Sequence, residues 1–201
     1  MPHPLNSPAI PTWRRAGRCL LGLVAGAGAG AAAAQHFTIG VGAGPDRGTV
    51  VCVASFACDR SSAWFKLSGA YRLSPAADVQ AVYFASGGFD GGGSTQLGTP
   101  FGGRFRVSGL GLTAGHRWDV VAGWSLSARI GAAGVRTRFR YATPFDGGAS
   151  RTVLQPLGGF GIGYAVTPAL RVGLDYDITR FKVHTTRGRL QMFGLAAQYS
   201  F

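Results

Sequence analysis

The segment Phe193-Gly194-Leu195-Ala196-Ala197-Gln198-Tyr199-Ser200-Phe201 alternates with a period of two. Its odd positions hold Phe193, Leu195, Ala197, Tyr199 and Phe201, and its even ones Gly194, Ala196, Gln198 and Ser200. Successive side chains of a strand point to opposite faces, so one face here is apolar and ends in two aromatics, while the other is small and polar. Alone, such a strand closes a soluble sandwich as readily as a barrel. The rest of the chain decides between them.

Working backwards, the same alternation recurs. Leu170–Thr179 sets Leu170, Val172, Leu174, Tyr176 and Ile178 against Arg171, Gly173, Asp175 and Asp177. Ala63–Leu73 sets Phe65, Leu67, Gly69, Tyr71 and Leu73 against Lys66, Ser68, Ala70 and Arg72. Further strands are expected at Phe37–Gly42, Val79–Ala85, Arg104–His116, Trp124–Arg138 and Thr152–Val166, which with the terminal strand makes eight. Short links at Ser74-Pro75-Ala76-Ala77, Arg117–Gly123 and Thr167-Pro168 alternate with long ones, including a glycine-rich link over Gly87–Gly103 and a loop around His184–Gly188. Proline presets a turn and cannot donate to a ladder.

An even strand count with short turns at one end and longer loops at the other fits an eight-stranded antiparallel transmembrane β-barrel of up-and-down meander topology. Closure removes the edges that an open sheet would expose. A soluble barrel would turn its apolar face inward. Here the opposite face is mostly Gly, Ala and Ser with scattered charges, which suits a narrow lumen. Tyr71, Trp118, Trp124, Tyr164 and Tyr199 fall near the short-turn ends on the outward parity, as an interfacial aromatic girdle would.

Composition agrees. The chain has 201 residues, 33 of them Gly, and only 14% are charged, which argues against a helical bundle. Residues 1–34 read as a secretory signal: Arg14, Arg15 and Arg18 precede the apolar run Cys19–Ala34, and Ala32-Ala33-Ala34 offers a cleavage site. Residues 35–201 then form the barrel domain. Export by the Sec route is expected, because a barrel with a lipid-facing exterior must reach its membrane unfolded.

The remaining cysteines, Cys52 and Cys58, read as one disulfide closing a short loop after export. A metal site would need further ligands, and nearby His is lacking. Closing the loop would stabilise the fold by roughly 2 kcal/mol.

The motifs Tyr164-Ala165-Val166-Thr167-Pro168, Leu174-Asp175-Tyr176, Leu112-Thr113-Ala114, Arg129-Ile130-Gly131 and Tyr199-Ser200-Phe201 resemble the transmembrane domain of the outer-membrane protein A family. The likeness spans essentially the whole mature chain. It implies an eight-stranded barrel with four outer loops and periplasmic termini, in the outer membrane of a Gram-negative bacterium. It also implies that Tyr199 and Phe201 form the signal read by the barrel-assembly machinery. The peptidoglycan-binding domain of larger members is not expected here. Arg129 and Asp175 hold family-like charged positions, whereas Gly115, Gly163 and Gly173 stand where charges are usual, and Gln80 replaces an acid. An interior polar plug of Lys66, Gln80, Arg129, Asp175 and Asp177 is expected, since an eight-stranded barrel is only just wide enough for its own side chains.

Charge adds a surface expectation. All eight acidic residues are Asp, and Arg far outnumbers Lys. Arg104, Arg106, Arg136, Arg138, Arg140, Arg180, Arg187 and Arg189 all lie beside long loops on the outward parity. Their planar forks suit phosphate, so a belt gripping lipopolysaccharide is expected, set against the alternative of a solvated rim. After export, glycolipid is a better partner for this basic surface than nucleic acid.

No enzyme is expected. His36, His116 and His184 stand apart from any Ser or acid at motif spacing, and Thr185 and Thr186 beside His184 are commonplace. No cofactor or metal is implied, and Gly91-Gly92-Gly93 lacks the Lys-Ser/Thr of a phosphate loop. The function expected is structural and surface-interacting, contacting lipopolysaccharide and, through the outer loops, an extracellular or host ligand of unknown identity. The competing reading is a channel for small solutes or hydrophobic molecules.

Overall fold

The computed structural model describes residues 36–49, 59–94, 100–141, 148–183 and 186–201. Residues 1–34, where a signal is expected, and Cys52, Cys58, His184 and Thr185 lie outside the described residues. Nine strand segments follow one another: β1 (Phe37–Gly48), β2 (Ser61–Arg72), β3 (Ala77–Ser86), β4 (Phe89–Ser94), β5 (Pro100–Val121), β6 (Trp124–Tyr141), β7 (Gly148–Ala165), β8 (Leu170–Val183) and β9 (Thr186–Ser200). Neighbours in sequence pair antiparallel, except that β3 and β4 both pair with β5, and β1 pairs with β9, for example Thr38 with Ser200 and Val41 with Ala197. The ladder is closed.

β3 and β4 lie along the same edge of β5 and form one stave of an eight-stranded barrel. Ala85 pairs with Ser108 and Phe89 with Phe105, so the β3–β4 side carries one extra residue. That is a bulge, and Gly88 takes it with φ +108°, a conformation that favours glycine. The link expected over Gly87–Gly103 is therefore mostly ladder, with Asp90 opposite Arg104 and Gly91 opposite Gly103. A glycine run shows no alternation to read, and its strand conformation comes from pairing with β5.

Two turns share one construction. Leu73 and Ser74 N–H donate to Ala77 O, and Ala77 N–H donates back to Ser74 Oγ. Val166 and Thr167 N–H donate to Leu170 O, and Leu170 N–H donates to Thr167 Oγ1. Pro75 and Pro168 occupy the position that needs no donor. The link expected over Arg117–Gly123 is tighter: β5 runs through Val121, and the turn is Ala122-Gly123 with Gly123 at φ +81°. At the other end β8 reaches Val183 and β9 begins at Thr186, so Arg187 and Gly188 are strand residues, not loop.

The strand faces divide as in a membrane barrel. Ile130 is 75% exposed, Leu154 74% and Leu195 70%, values that a soluble barrel with an apolar interior would reverse. Tyr71, Trp118, Trp124, Tyr164 and Tyr199 are exposed at the turn end, with Trp124 against Tyr164 and Tyr199 against Phe201.

The interior corrects one expectation. Small and charged residues fill only part of it. At the loop end Trp64, Phe84, Phe89, Phe105, Phe139 and Phe181 point inward, each at most 3% exposed, with Leu157, Leu190 and Met192 beside them. Phe105 lies 4.5 Å from Phe139 and 6.0 Å from Phe89, and Phe89 lies 5.7 Å from Phe181. The Trp64 indole donates to Phe193 O at 3.0 Å, which gives its polar edge a partner.

Candidate functional site

Next to this aromatic core, towards the turn end, β2, β6 and β8 converge on four charges. Lys66 Nζ lies 2.6 Å from Asp175 Oδ2 and 2.7 Å from Asp177 Oδ2. Arg129 Nη2 lies 3.2 Å from Asp175 Oδ2 and 2.7 Å from Asp177 Oδ1, and its Nε donates to Asp177 Oδ1 at 2.8 Å. Each cation touches both acids, and no side chain of the four is more than 7% exposed. The set is neutral in sum, as burial demands: an isolated charge there would cost several kcal/mol. Gln80 is buried too, but on β3, nearer the turn end, where it lines a small cavity.

The loop-end rim is built differently. On β5 and β6, Arg104 stands directly opposite Arg140, and Arg106 opposite Arg138, all outward and exposed. Arg136 is opposite Ser108 and its Nε donates to Ser150 Oγ at 3.2 Å. On β8 and β9, Arg180 stands opposite Arg189 and Lys182 opposite Arg187. Sequence reasoning did not single out Lys182; its parity continues that of Arg180, which was the available signal. Arg104 has an exposed acidic neighbour, with its Nε 3.3 Å from Asp90 Oδ1.

Between the two arginine groups the β7–β8 ladder stops at Leu157–Thr179, whereas β7 stays paired with β6 as far as Gly148. Pro156 sits at that end, its carbonyl accepting from Thr179 Oγ1 at 2.8 Å. An outer groove opens there, lined by Ile130, Pro156, Ile178, Arg180 and Arg189. It places apolar surface against two guanidinium groups.

The histidines play other parts. His36 stacks on Tyr71 at 6.0 Å and His116 lies 4.6 Å from Trp118, both at the turn end. At the start of β2, Asp59 Oδ1 accepts from the Ser61 N–H and hydroxyl, which holds its carboxyl below the usual range.

No protein-family model matches the chain, and no curated sequence matches it. Solved structures do. Neisserial surface protein A aligns with a TM-score of 0.60 at 14% identity, covering 82% of this chain and 97% of that one. The attachment invasion locus protein Ail of Yersinia pestis, in complex with the heparin analogue sucrose octasulfate, aligns at 0.53 and 16% identity, covering 83% and 98%. The N-terminal β-barrel domain of Pseudomonas aeruginosa OprF aligns at 0.52 and 12% identity, covering 84% and 99%. The fold is that of the small eight-stranded outer-membrane barrels.

Proposed function

We propose that this protein is an outer-membrane barrel with a structural and surface-contact role, gripping lipopolysaccharide phosphates at its loop end and meeting extracellular ligands through its outer loops. One observation carries the reading: the directly opposed cations Arg104–Arg140, Arg106–Arg138, Arg180–Arg189 and Lys182–Arg187. Like charges placed opposite each other on a sheet cost about 0.2–1 kcal/mol per pair. A phosphate between them reverses that sign, each partly buried Arg–phosphate contact contributing about 1.5–3 kcal/mol, and fully exposed ones far less. The groove beside Arg180 and Arg189 suits an acyl chain under such a phosphate. Ail, which shares the fold, is seen with a polysulfated ligand, and this supports a polyanion reading.

Arg136→Ala with Arg138→Ala should therefore lower the lipid A that co-purifies per barrel, at matched heat-modifiability on gels. Equal amounts would reduce the belt to a solvated rim.

The competing channel class needs an open lumen. The four-charge set and the aromatic core beside it favour a plugged one. Among the described residues, His36 lies against Tyr71 and His116 against Trp118, which lends an enzymatic role no support.

Delivery belongs to the same proposal: residues 1–34 direct export by the Sec route, and Tyr199 and Phe201 present the assembly signal. Phe201 is 40% exposed and packs on Tyr199 and Phe37 at the turn end, where an incoming barrel offers its last strand. Deleting Phe201 should slow membrane insertion in cells far more than a comparable loop change. Unchanged insertion kinetics would remove that role.

A further inference from the structure

The turn-end part of the lumen is neither apolar nor neutral. Its inward positions are small, among them Thr38, Ser68, Ala70, Ser125, Gly161 and Gly163, and they leave a cavity of about 50 Å³. A single water needs only about 10–15 Å³, so the space admits several waters or one tetrahedral oxyanion. Arg72 from β2, Arg117 from β5 and Arg171 from β8 line it together. Arg117 lies close enough to Arg171 and Arg72 for their charges to repel.

Compensation is partial. Asp78 lines the same cavity and stands opposite Arg72 across the β2–β3 ladder, and Asp119 attracts Arg117. Among the described residues, no carboxylate forms an ion pair with any of the three arginines. Among the described residues Arg171 Nε is buried without a hydrogen-bond partner, which is costly for a donor. The glycines at positions expected to be charged explain the room: the space a Cβ would take at Gly163 is filled by the Arg171 side chain, and that at Gly115 by Asp78.

We propose that this vestibule is a binding site for one oxyanion of phosphate chemistry, held by Arg72, Arg117 and Arg171 at the mouth of the barrel opposite the long loops. Three guanidinium groups offer planar forks that match tetrahedral oxygens, and an anion among them relieves both their repulsion and the unmet Arg171 donor. Ser125 and Gln198 add a hydroxyl and an amide to the lining. The site is separate from the loop-end arginine belt. Its occupant is either free phosphate or the phosphate of a lipid headgroup at the rim.

The test is calorimetric titration of the purified protein, folded in a phosphate-free zwitterionic detergent at low salt, with inorganic phosphate. Saturable binding at one site is expected. Arg117→Gln and Arg171→Gln should each weaken it by about tenfold or more, as loss of a charge-assisted contact does. Arg47→Gln, on the outer surface at the loop end, should leave it unchanged. Heat-modifiability of each variant checks folding. Absence of saturable binding to the wild type, or equal loss in all three variants, would overturn the site. Repeating the titration in nanodiscs separates the sources. Weaker phosphate binding in phosphatidylglycerol than in phosphatidylcholine identifies a headgroup as occupant, and equal binding identifies the free ion.

Discussion

Asp177→Ala should lower the unfolding free energy of the barrel by about 3–5 kcal/mol, because it breaks a buried ion set from one side. Asp177 accepts from Lys66 at 2.7 Å and from Arg129 at both 2.7 Å and 2.8 Å, so its loss leaves two buried cations sharing Asp175. Asp175→Ala should cost less, since Arg129 reaches that residue at only 3.2 Å. Removing one charge of each sign together, Lys66→Met with Asp175→Leu, should cost less than the sum of the single changes, because the remainder stays neutral. Urea unfolding of barrels inserted in phospholipid vesicles measures wild type, the two Ala variants, the double variant and its two single changes. Asp177→Ala within about 1 kcal/mol of wild type would mean that water reaches the set and replaces the lost partner.

Phe105→Ala should cost a similar amount, about 3–5 kcal/mol, by a different route. Phe105 is 1% exposed and touches Phe89, Phe139 and Phe181, so truncation leaves a cavity among rings held by backbone on every side. The ladder fixes β4, β5, β6 and β8, and little collapse can fill the space. Phe105→Leu should recover most of the loss, because it refills much of the volume. The same vesicle-based unfolding measurement ranks the three proteins. Equal stability for Ala and Leu would show that the loop end of the lumen is loosely packed.

Much of the fold is legible where alternation is unbroken. β2 and β8 show which residues face lipid and which face inward, and Lys66, Asp175 and Asp177 share the inward parity on that ground alone. That Lys66 and Arg129 meet the same two acids is not legible, because contacts across a lumen depend on closure and stagger of the whole barrel, not on any one strand. The aromatic core is legible in part. Trp64, Phe84 and Phe105 lie inside the expected strands Ala63–Leu73, Val79–Ala85 and Arg104–His116 on the inward parity, among neighbours that are mostly small. Phe139 and Phe181 lie just beyond the expected ends at Arg138 and Thr179, on a parity continuous with Arg129 and Asp175. β4 left no trace in the sequence, since glycine on both faces carries no pattern. The eight arginines are legible as outward and near loops, but the pairing of six of them with one another, and of Arg187 with Lys182, needs the register.

On the proposed function, the barrel meets its surroundings through its outer surface, and the Lys66–Arg129–Asp175–Asp177 set and the aromatic core close its lumen. Single-channel recording of the folded wild-type protein in a planar bilayer tests this most directly. A quiet baseline after verified insertion is the result expected. Stable, reproducible conductance steps from the wild type would contradict it, and would place the function in the lumen.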